Sequence, residues 1–468
     1  MDRSDSLTIE KNITSLVLPS PPTGNARRIE LAGIDLWLDA RIDSIFVYPS
    51  TLNLDRFKEA LSRTLSRWPL VAGHLLLLDD NRYFIEMADH AIPVFIVDNH
   101  DLPQWPFDST VVVEKGSSLL QPYFSFVQTR KLLNCSPYEP LVQMKITHII
   151  QSNQWVLGIS WAHILGDAIS CLQFLNTFSR LYQHLEPCKP DPIFERHLWQ
   201  EKDVVSSFLP MMNLLEDALL PEQQTSSNFI DYLENYAQIN LRFSGTQLVQ
   251  LHKIVGETSV TIHDALTAYI IVLLNAFCLD SDDERIKHTS TIVNYRGISE
   301  SIAPLGQEAN AIFRMLSEDF DDPRSLSNVA LTIRRSIHRS REIDFLESYL
   351  ATADCLMRRN TREKRQYRMT RYANEIVVNS NLKYDWADAV DFGYTNQCRF
   401  YTAWTGPFYL RVFRLNPIQN GQQWIERDKK GAEVAFLIEK DKKSCLMTAW
   451  QCDIDENFAR WKPSKDTF

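Results

Sequence analysis

His163 and Asp167, four residues apart in Ser160-Trp161-Ala162-His163-Ile164-Leu165-Gly166-Asp167-Ala168, are the residues of this chain best placed to do chemistry. An imidazole is the side chain that can take a proton from a hydroxyl near pH 7 and return it in a later step. The run Trp155–Trp161 reads as a buried strand. Beyond the pair, Ala168, Cys171, Leu172, Leu175, Phe178, Tyr182 and Leu185 trace one face of a helix that Pro187 stops. His163 therefore leaves a strand end at a turn, where it can point into a cleft, and Asp167 stands at the helix start. The positive end of that helix is expected to bias the imidazole toward its neutral, proton-accepting form.

Other chemistries compete for the same stretch. Gly158-Ile159-Ser160-Trp161-Ala162 nearly spells the G-x-S-x-G nucleophile elbow of serine hydrolases. The elbow serine must sit at a strand-to-helix turn, whereas Ser160 falls inside the predicted strand. Metal catalysis finds no support, because His148 and His163 lack the spacing of a zinc pair on one helix.

The elements that must position His163 follow from periodicity and turn signals. A strand is predicted over 34–38, then a helix with Leu54, Phe57, Leu61, Leu65 and Trp68 on one face. Two hairpins turn at Asp79-Asp80-Asn81-Arg82 and Gln151-Ser152-Asn153-Gln154. Five prolines between Pro187 and Pro221 mark a crossover. The second half opens with a strand at Ile239-Asn240-Leu241-Arg242-Phe243 and a helix that follows Ser244 and ends at Gly256. A capping-box-like Thr261-x-x-Asp264 starts the next helix. Another helix is expected over 325–341, with strands over 375–379, 409–413 and 434–438. Mixed hairpins and helices suggest an α/β or α+β protein with helices covering open sheets. The division read from this pattern is an N-terminal lobe over 1–186, a crossover over 187–225 and a C-terminal lobe over 226–468.

Composition narrows the partners. The chain has 468 residues, 44% hydrophobic and 23% charged, enough for large cores. A net charge of −10 argues against a general nucleic-acid or anionic-membrane binder. The opening Met1-Asp2-Arg3-Ser4-Asp5 has no apolar run behind it, and the longest apolar stretch, Tyr269–Leu274, is far short of a membrane span. Eight scattered cysteines without metal spacing read as reduced thiols of a cytoplasmic protein; a monomer is expected as well.

Further segments fall in a recognisable order. Leu31-Ala32-Gly33-Ile34-Asp35 is similar to an "LS-x-x-D" strand, and Leu61 to Leu75 to an "L-x-x-x-L-x-x-x-P-L-A-G-R-L" segment. Asp264-Ala265-Leu266-Thr267-Ala268 is similar to an "E/D-A-L-x-A" helix, and Val293-Asn294-Tyr295-Arg296 to an arginine strand. Gly306 to Asn310 matches a stretched "Y-F-G-N", and Asp391-Phe392-Gly393-Tyr394-Thr395 matches "D-F-G-W-G". With His163-x-x-x-Asp167, the chain from Val17 to Trp450 resembles the BAHD acyltransferases of the chloramphenicol acetyltransferase and condensation-domain superfamily.

That resemblance implies an α/β fold of two similar lobes, each a mixed sheet covered by helices, with a channel between them. It implies direct acyl transfer from an acyl-coenzyme A co-substrate to a hydroxyl of a hydrophobic specialised metabolite, with His163 as general base and no metal. It further implies that Asp167 pairs with Arg296 to hold the loop, and that Asp391 and Gly393 support the architecture. Asn379 or Ser380, in Asn379-Ser380-Asn381, falls where the family bonds the oxyanion; a plain turn is the competing reading. N-acylation, or a silent accessory relative, are the alternative functions. Tyr394, Thr395 and Ala168 depart from the family pattern, and Ala162 stands where a peptide-forming condensation domain has a second histidine. The cluster Arg358, Arg359, Arg362, Lys364, Arg365, Arg368 and Arg371, or Arg285 with Lys287, could steer the anionic donor; a solvated face is the alternative.

Overall fold

Two six-stranded mixed sheets carry the molecule in this computed structural model, which describes residues 13–134, 139–200, 205–220, 234–279, 281–367, 374–421 and 423–454. In the first sheet the order is Ile13–Val17, Ile92–Asn99, Val142–Ile149, Gln154–Ala162, Arg41–Tyr48 and Arg399–Thr402. Every residue of Gln154–Ala162 is buried, because antiparallel neighbours flank it on both edges and other chain covers both faces. In the second sheet the order is Ile312–Leu316, His288–Asn294, Glu375–Ser380, Tyr409–Arg414, Ala432–Glu439 and Tyr236–Phe243. There His288–Asn294, Glu375–Ser380 and Tyr409–Arg414 run parallel, so their C-terminal ends lie together.

Both expected hairpins form, as Val142–Ile149 with Gln154–Ala162 and as His74–Leu77 with Tyr83–Glu86. The helices Leu54–Arg67, Ala168–Tyr182, Gly245–Val255, Ile262–Phe277 and Leu326–Arg339 appear where apolar spacing places them. Their starts are set by side chains. Asn53, Asp167, Ser244, Thr261 and Ser325 each accept hydrogen bonds from first-turn amides, and the Thr261–Asp264 capping box is complete. Periodicity analysis misses one long helix, Ile343–Arg362, although Leu346, Tyr349, Leu350, Ala353, Leu356 and Met357 mark its buried face.

One expected element is corrected. Residues 34–38 form no strand; Gly33–Asp35 is a single 3-10 turn, and the strand of this region is Arg41–Tyr48. Apolar residues here reflect enclosure on every side rather than a sheet face: Leu31, Ala32, Ile34, Leu36 and Leu38 are all buried. A Cβ on Gly33 would lie 2.1 Å from the Asp354 carbonyl oxygen on Ile343–Arg362, so only glycine lets the turn approach that helix.

The two halves of the chain are interlocked. Arg399–Thr402, from the second half, pairs antiparallel with Arg41–Tyr48 and completes the first sheet. A separate core joins Ala32 and Ile34 to Trp199 and Met212 of the crossover and to Tyr295, Phe313, Tyr349 and Leu350 of the second half. Sheet membership and division at residue 226 therefore differ around this strand.

Gly158, at the centre of the buried strand, faces the Tyr123 carbonyl oxygen, which an added Cβ would meet at 2.0 Å. Gly158→Ala is expected to destabilise the protein by about 1–3 kcal/mol through overpacking. A lowered urea midpoint with an unchanged m-value would show this; an unchanged midpoint would refute it.

Candidate active site

The strand Gln154–Ala162 delivers His163 to a 3-10 turn, His163–Leu165, and Asp167 then caps the helix Ala168–Tyr182. Between them Gly166 has φ +153°, and a Cβ there would meet Ser170 Oγ at 2.7 Å. Its carbonyl accepts from Trp161 Nε1 at 3.0 Å, which ties the turn back to the strand.

Asp167 is fully buried and turned toward the body of the protein. Its Oδ1 accepts from the Ile169 and Ser170 amides at 2.9 and 3.2 Å. Arg296 clasps both oxygens, Nη1 to Oδ2 at 2.8 Å and Nη2 to Oδ1 at 3.1 Å. The Ala311 amide adds a bond to Oδ2 at 3.0 Å. Arg296 also donates to the carbonyls of Gln307 and Ala309, both at 2.7 Å, and to Ser170 Oγ at 3.0 Å. The guanidinium at the end of His288–Asn294 thus fastens the His163 loop to the loop over 306–311.

His163 is part-buried, with its ring 5.9 Å from Trp37, which in turn packs on Tyr367 at 4.8 Å. Its amide donates to the Ala40 carbonyl at 3.1 Å. Burial pushes the imidazole pKa down, while Asp167, its own backbone, Asn310 and Asp35 pull it upward. The neutral bias expected from the helix dipole is present, but its cause is desolvation. Among the described residues, the buried Nδ1 has no partner in good hydrogen-bond geometry.

Glu308 sits in the same network, 3% exposed. Burial raises its pKa to about 8, with Asp167 adding to the rise, against the pull of Arg296, Ser170 and Arg196. Arg296 and Arg196, which also pair with Asp167 and Asp35, offset only part of the burial penalty on Glu308.

The remaining predicted residues are placed as follows. Asp391 accepts from the Gly393 amide and Gln183 Nε2, both at 2.9 Å, and from Thr395 Oγ1 at 2.9 Å. Phe392 and Gly393 both take positive φ, which turns Phe392 into a cluster with Tyr48, Phe57, Phe178 and Tyr182. This motif braces the back of the helix that Asp167 begins. Asn379 and Ser380 end the strand Glu375–Ser380. Asn379 Nδ2 donates to Tyr409 Oη at 3.0 Å, and Ser380 Oγ accepts from the Leu382 amide at 3.3 Å. Among the described residues neither bonds to His163, Asp167 or Arg296. Ser160 lies inside its strand, fully buried, with its hydroxyl bonded to Asp43 Oδ1 at 2.8 Å.

Much of the basic cluster serves the fold. Arg358 pairs with Asp354 at 2.8 Å and reaches the Leu31 carbonyl; Arg359 meets Glu216 at 3.3 Å and Arg365 meets Glu363 at 2.5 Å. Arg285 pairs with Asp282, and Arg368 and Arg371 lie outside the described residues. Sequence reasoning missed Trp37, Arg196, Glu308 and the side chain of Asn310. Only Asp35 and Asn310 carried a signal, as the ends of two quoted motifs.

Residues 7–402 match the family model described as Transferase family, and the chain belongs to that family, the BAHD acyltransferases. A hydroxycinnamoyltransferase of Narcissus pseudonarcissus is 25% identical over 213 residues, 42% of this chain and 44% of that protein, so the chain matches under half of that relative's length. Vinorine synthase superposes with a TM-score of 0.61 at 15% identity, over 94% of this chain and 98% of that one. F. graminearum TRI101, in a complex with coenzyme A and T-2 mycotoxin, superposes with a TM-score of 0.61 at 13% identity, over 93% and 99%. Both likenesses establish the shared two-sheet fold.

Breaking either member of the Asp167–Arg296 pair leaves a buried charge unmet, which costs about 3–5 kcal/mol. Asp167→Asn and Arg296→Ala are therefore expected to be coupled, the double variant losing less stability than the two singles together. Strictly additive unfolding free energies would refute the coupling. Glu308 supplies a pH test. Its folded pKa lies above the unfolded one, so its favourable contribution is complete below about 4.5 and is lost as pH rises to about 8. Glu308→Gln is expected to melt near wild type at pH 5 and above it at pH 8.5. A Tm difference independent of pH would show that Glu308 titrates normally.

Proposed function

We propose that this chain transfers an acyl group directly from an acyl-coenzyme A thioester to a hydroxyl of a hydrophobic small molecule, with His163 as general base. The observation that carries this reading is a part-buried imidazole held down in pKa, on a turn whose carboxylate is committed elsewhere. An imidazole kept neutral can accept the hydroxyl proton as the oxygen attacks the thioester carbonyl. The tetrahedral oxyanion collapses, the carbon–sulfur bond breaks, and the imidazolium returns the proton to the leaving thiolate. No protein nucleophile is needed, because the thioester is already activated.

Ser380 is the better candidate than Asn379 to donate to the oxyanion. The Asn379 amide is engaged by Tyr409, whereas the Ser380 hydroxyl only accepts in the described contacts. Asp167, Arg296, Asp391 and Gly393 act as supports. Support for the donor comes from family membership and from the coenzyme A in the TRI101 complex. A small-molecule acceptor accords with the T-2 mycotoxin in that complex, and an oxygen rather than a nitrogen nucleophile is our choice. Among the described residues no helix is long and apolar enough to cross a membrane. We infer a cytoplasmic monomer of specialised metabolism.

The test is a panel of acyl-coenzyme A donors against candidate alcohols, read by mass spectrometry. His163→Ala is expected to fold and to lose about 10²–10⁴-fold in turnover. Intact protein mixed with donor alone should stay unmodified. Wild-type turnover in His163→Ala, or an acyl adduct on Ser160 lost in Ser160→Ala, would overturn the mechanism. The acid limb of kcat/KM should fall below the ordinary histidine value of about 6.5, because burial favours the neutral base.

A further inference from the structure

The quoted Leu31–Asp35 segment has no part in the chemistry above, yet it ends beside the reacting imidazole. Asp35 is 1% exposed. Its Oδ2 receives the Ala32 amide at 3.2 Å, and its Oδ1 receives the Asn310 amide at 3.0 Å and Asn310 Nδ2 at 3.3 Å. Arg196, from the crossover, lies 3.3 Å from Asp35 through Nε, with side chains 1% and 2% exposed. Arg196 Nη2 donates to the Leu165 carbonyl at 3.2 Å, and its Nη1 donates to the Phe194 carbonyl. Asn310 Nδ2 reaches past Asp35 to the His163 carbonyl at 2.8 Å. The first and last carbonyls of the His163–Leu165 turn are thus both held by groups that meet at Asp35.

We propose that Asp35 and Arg196, linked through Asn310, form a second positioning pair that fixes the His163 turn and sets the charge balance around its imidazole. This rests on the reading of His163 as the base. The pair shares no residue with Asp167–Arg296. It draws together three distant segments: the Gly33–Asp35 turn, the crossover and the loop over 306–311. A buried ion pair gains little net stability over apolar packing. Its definite effect here is geometric, since each partner spends a bond on the turn that carries His163 or on Asn310. Asp354 holds the other end of the segment: its Oδ1 accepts from the Gly33 amide, and Arg358 pairs with it.

The charges around the imidazole give a readout that stability alone would not move. Asp35 and Asp167 both draw its pKa upward. Arg196, Arg296 and Glu308 form the next layer, and Tyr367 lies behind Trp37. Removing the Asp35 charge leaves Arg196 unanswered and should lower the His163 pKa. Removing the Arg196 charge leaves Asp35 unanswered and should raise it. A merely structural pair would move both variants in one direction or neither.

The experiment is an NMR titration of the His163 ring in the full chain with ¹³C-labelled histidine, assigned by its absence in His163→Ala. Asp35→Asn is expected to shift the midpoint down and Arg196→Gln to shift it up, each by about half a unit or more. Arg196→Lys should return it toward wild type. In acyl transfer, kcat should fall about tenfold, the scale of a slightly misplaced catalytic group, while KM for the acyl-coenzyme A donor stays near wild type. Midpoints that move together, or that do not move, overturn the proposal. Should Asp35→Asn fail to fold, Arg196→Gln against Arg196→Lys decides alone: a rise reversed by lysine supports the pair, and its absence refutes it. The ring titration needs no turnover, so a wild-type chain that transfers no acyl group would refute the base assignment separately.

Discussion

Five N–H groups converge on one carboxylate, that of Asp167, and the arrangement of the site follows from it. Two come from the first turn of Ala168–Tyr182, two from Arg296 and one from Ala311. A fully buried anion is tolerated only if it is paired and its lone pairs are filled. Meeting that demand brings a helix start, a strand end and a loop into one place. Asp167 has no remaining direction in which to orient His163, so it acts on the imidazole through the backbone and by charge at a distance. The spacing of four residues is the length of a turn that can carry both a catalytic group outward and an anchor inward.

Charge balance extends this constraint to the neighbouring buried groups. Two guanidiniums, Arg196 and Arg296, face three carboxyls, Asp35, Asp167 and Glu308. In a low-dielectric site an unmatched carboxylate is costly, and Glu308, the least supported of the three, retains its proton into the neutral range. Asp35 and Asp167 each face a guanidinium and accept several N–H donors.

How much of this the sequence discloses depends on where the determining contacts lie. His163, Asp167 and the strand and helix around them are local: apolar spacing places the strand and the helix start to within a residue, while the helix ends at Tyr182, before the Leu185 that the spacing included. Arg296 lies 129 residues away and was legible only through resemblance to a family. The Gly33–Asp35 turn was misread as a strand because burial on all sides and burial on one sheet face both produce a run of apolar residues. Arg358 looked like a solvent-facing cation because its partners, Asp354 and the Leu31 carbonyl, depend on a helix whose periodicity was overlooked and on a contact 327 residues distant. Arg196 had no sequence signal: a single arginine in a proline-rich crossover gives no indication that the crossover passes under the turn.

The same separation bears on how the imidazole is tuned. Desolvation keeps His163 neutral, but a base whose pKa falls too far loses driving force for taking the proton. Complete burial among apolar groups would therefore weaken the base it preserves. Here the apolar neighbour Trp37 and the anionic Asp35 come from one short segment, 32–37, and act in opposite senses: the ring excludes water while the carboxylate pulls the pKa up. Gly33 is what lets that segment lie against Ile343–Arg362 closely enough to deliver both. The surroundings of the His163 imidazole are thereby shaped by a turn in the first half of the chain that is fixed by a helix in the second.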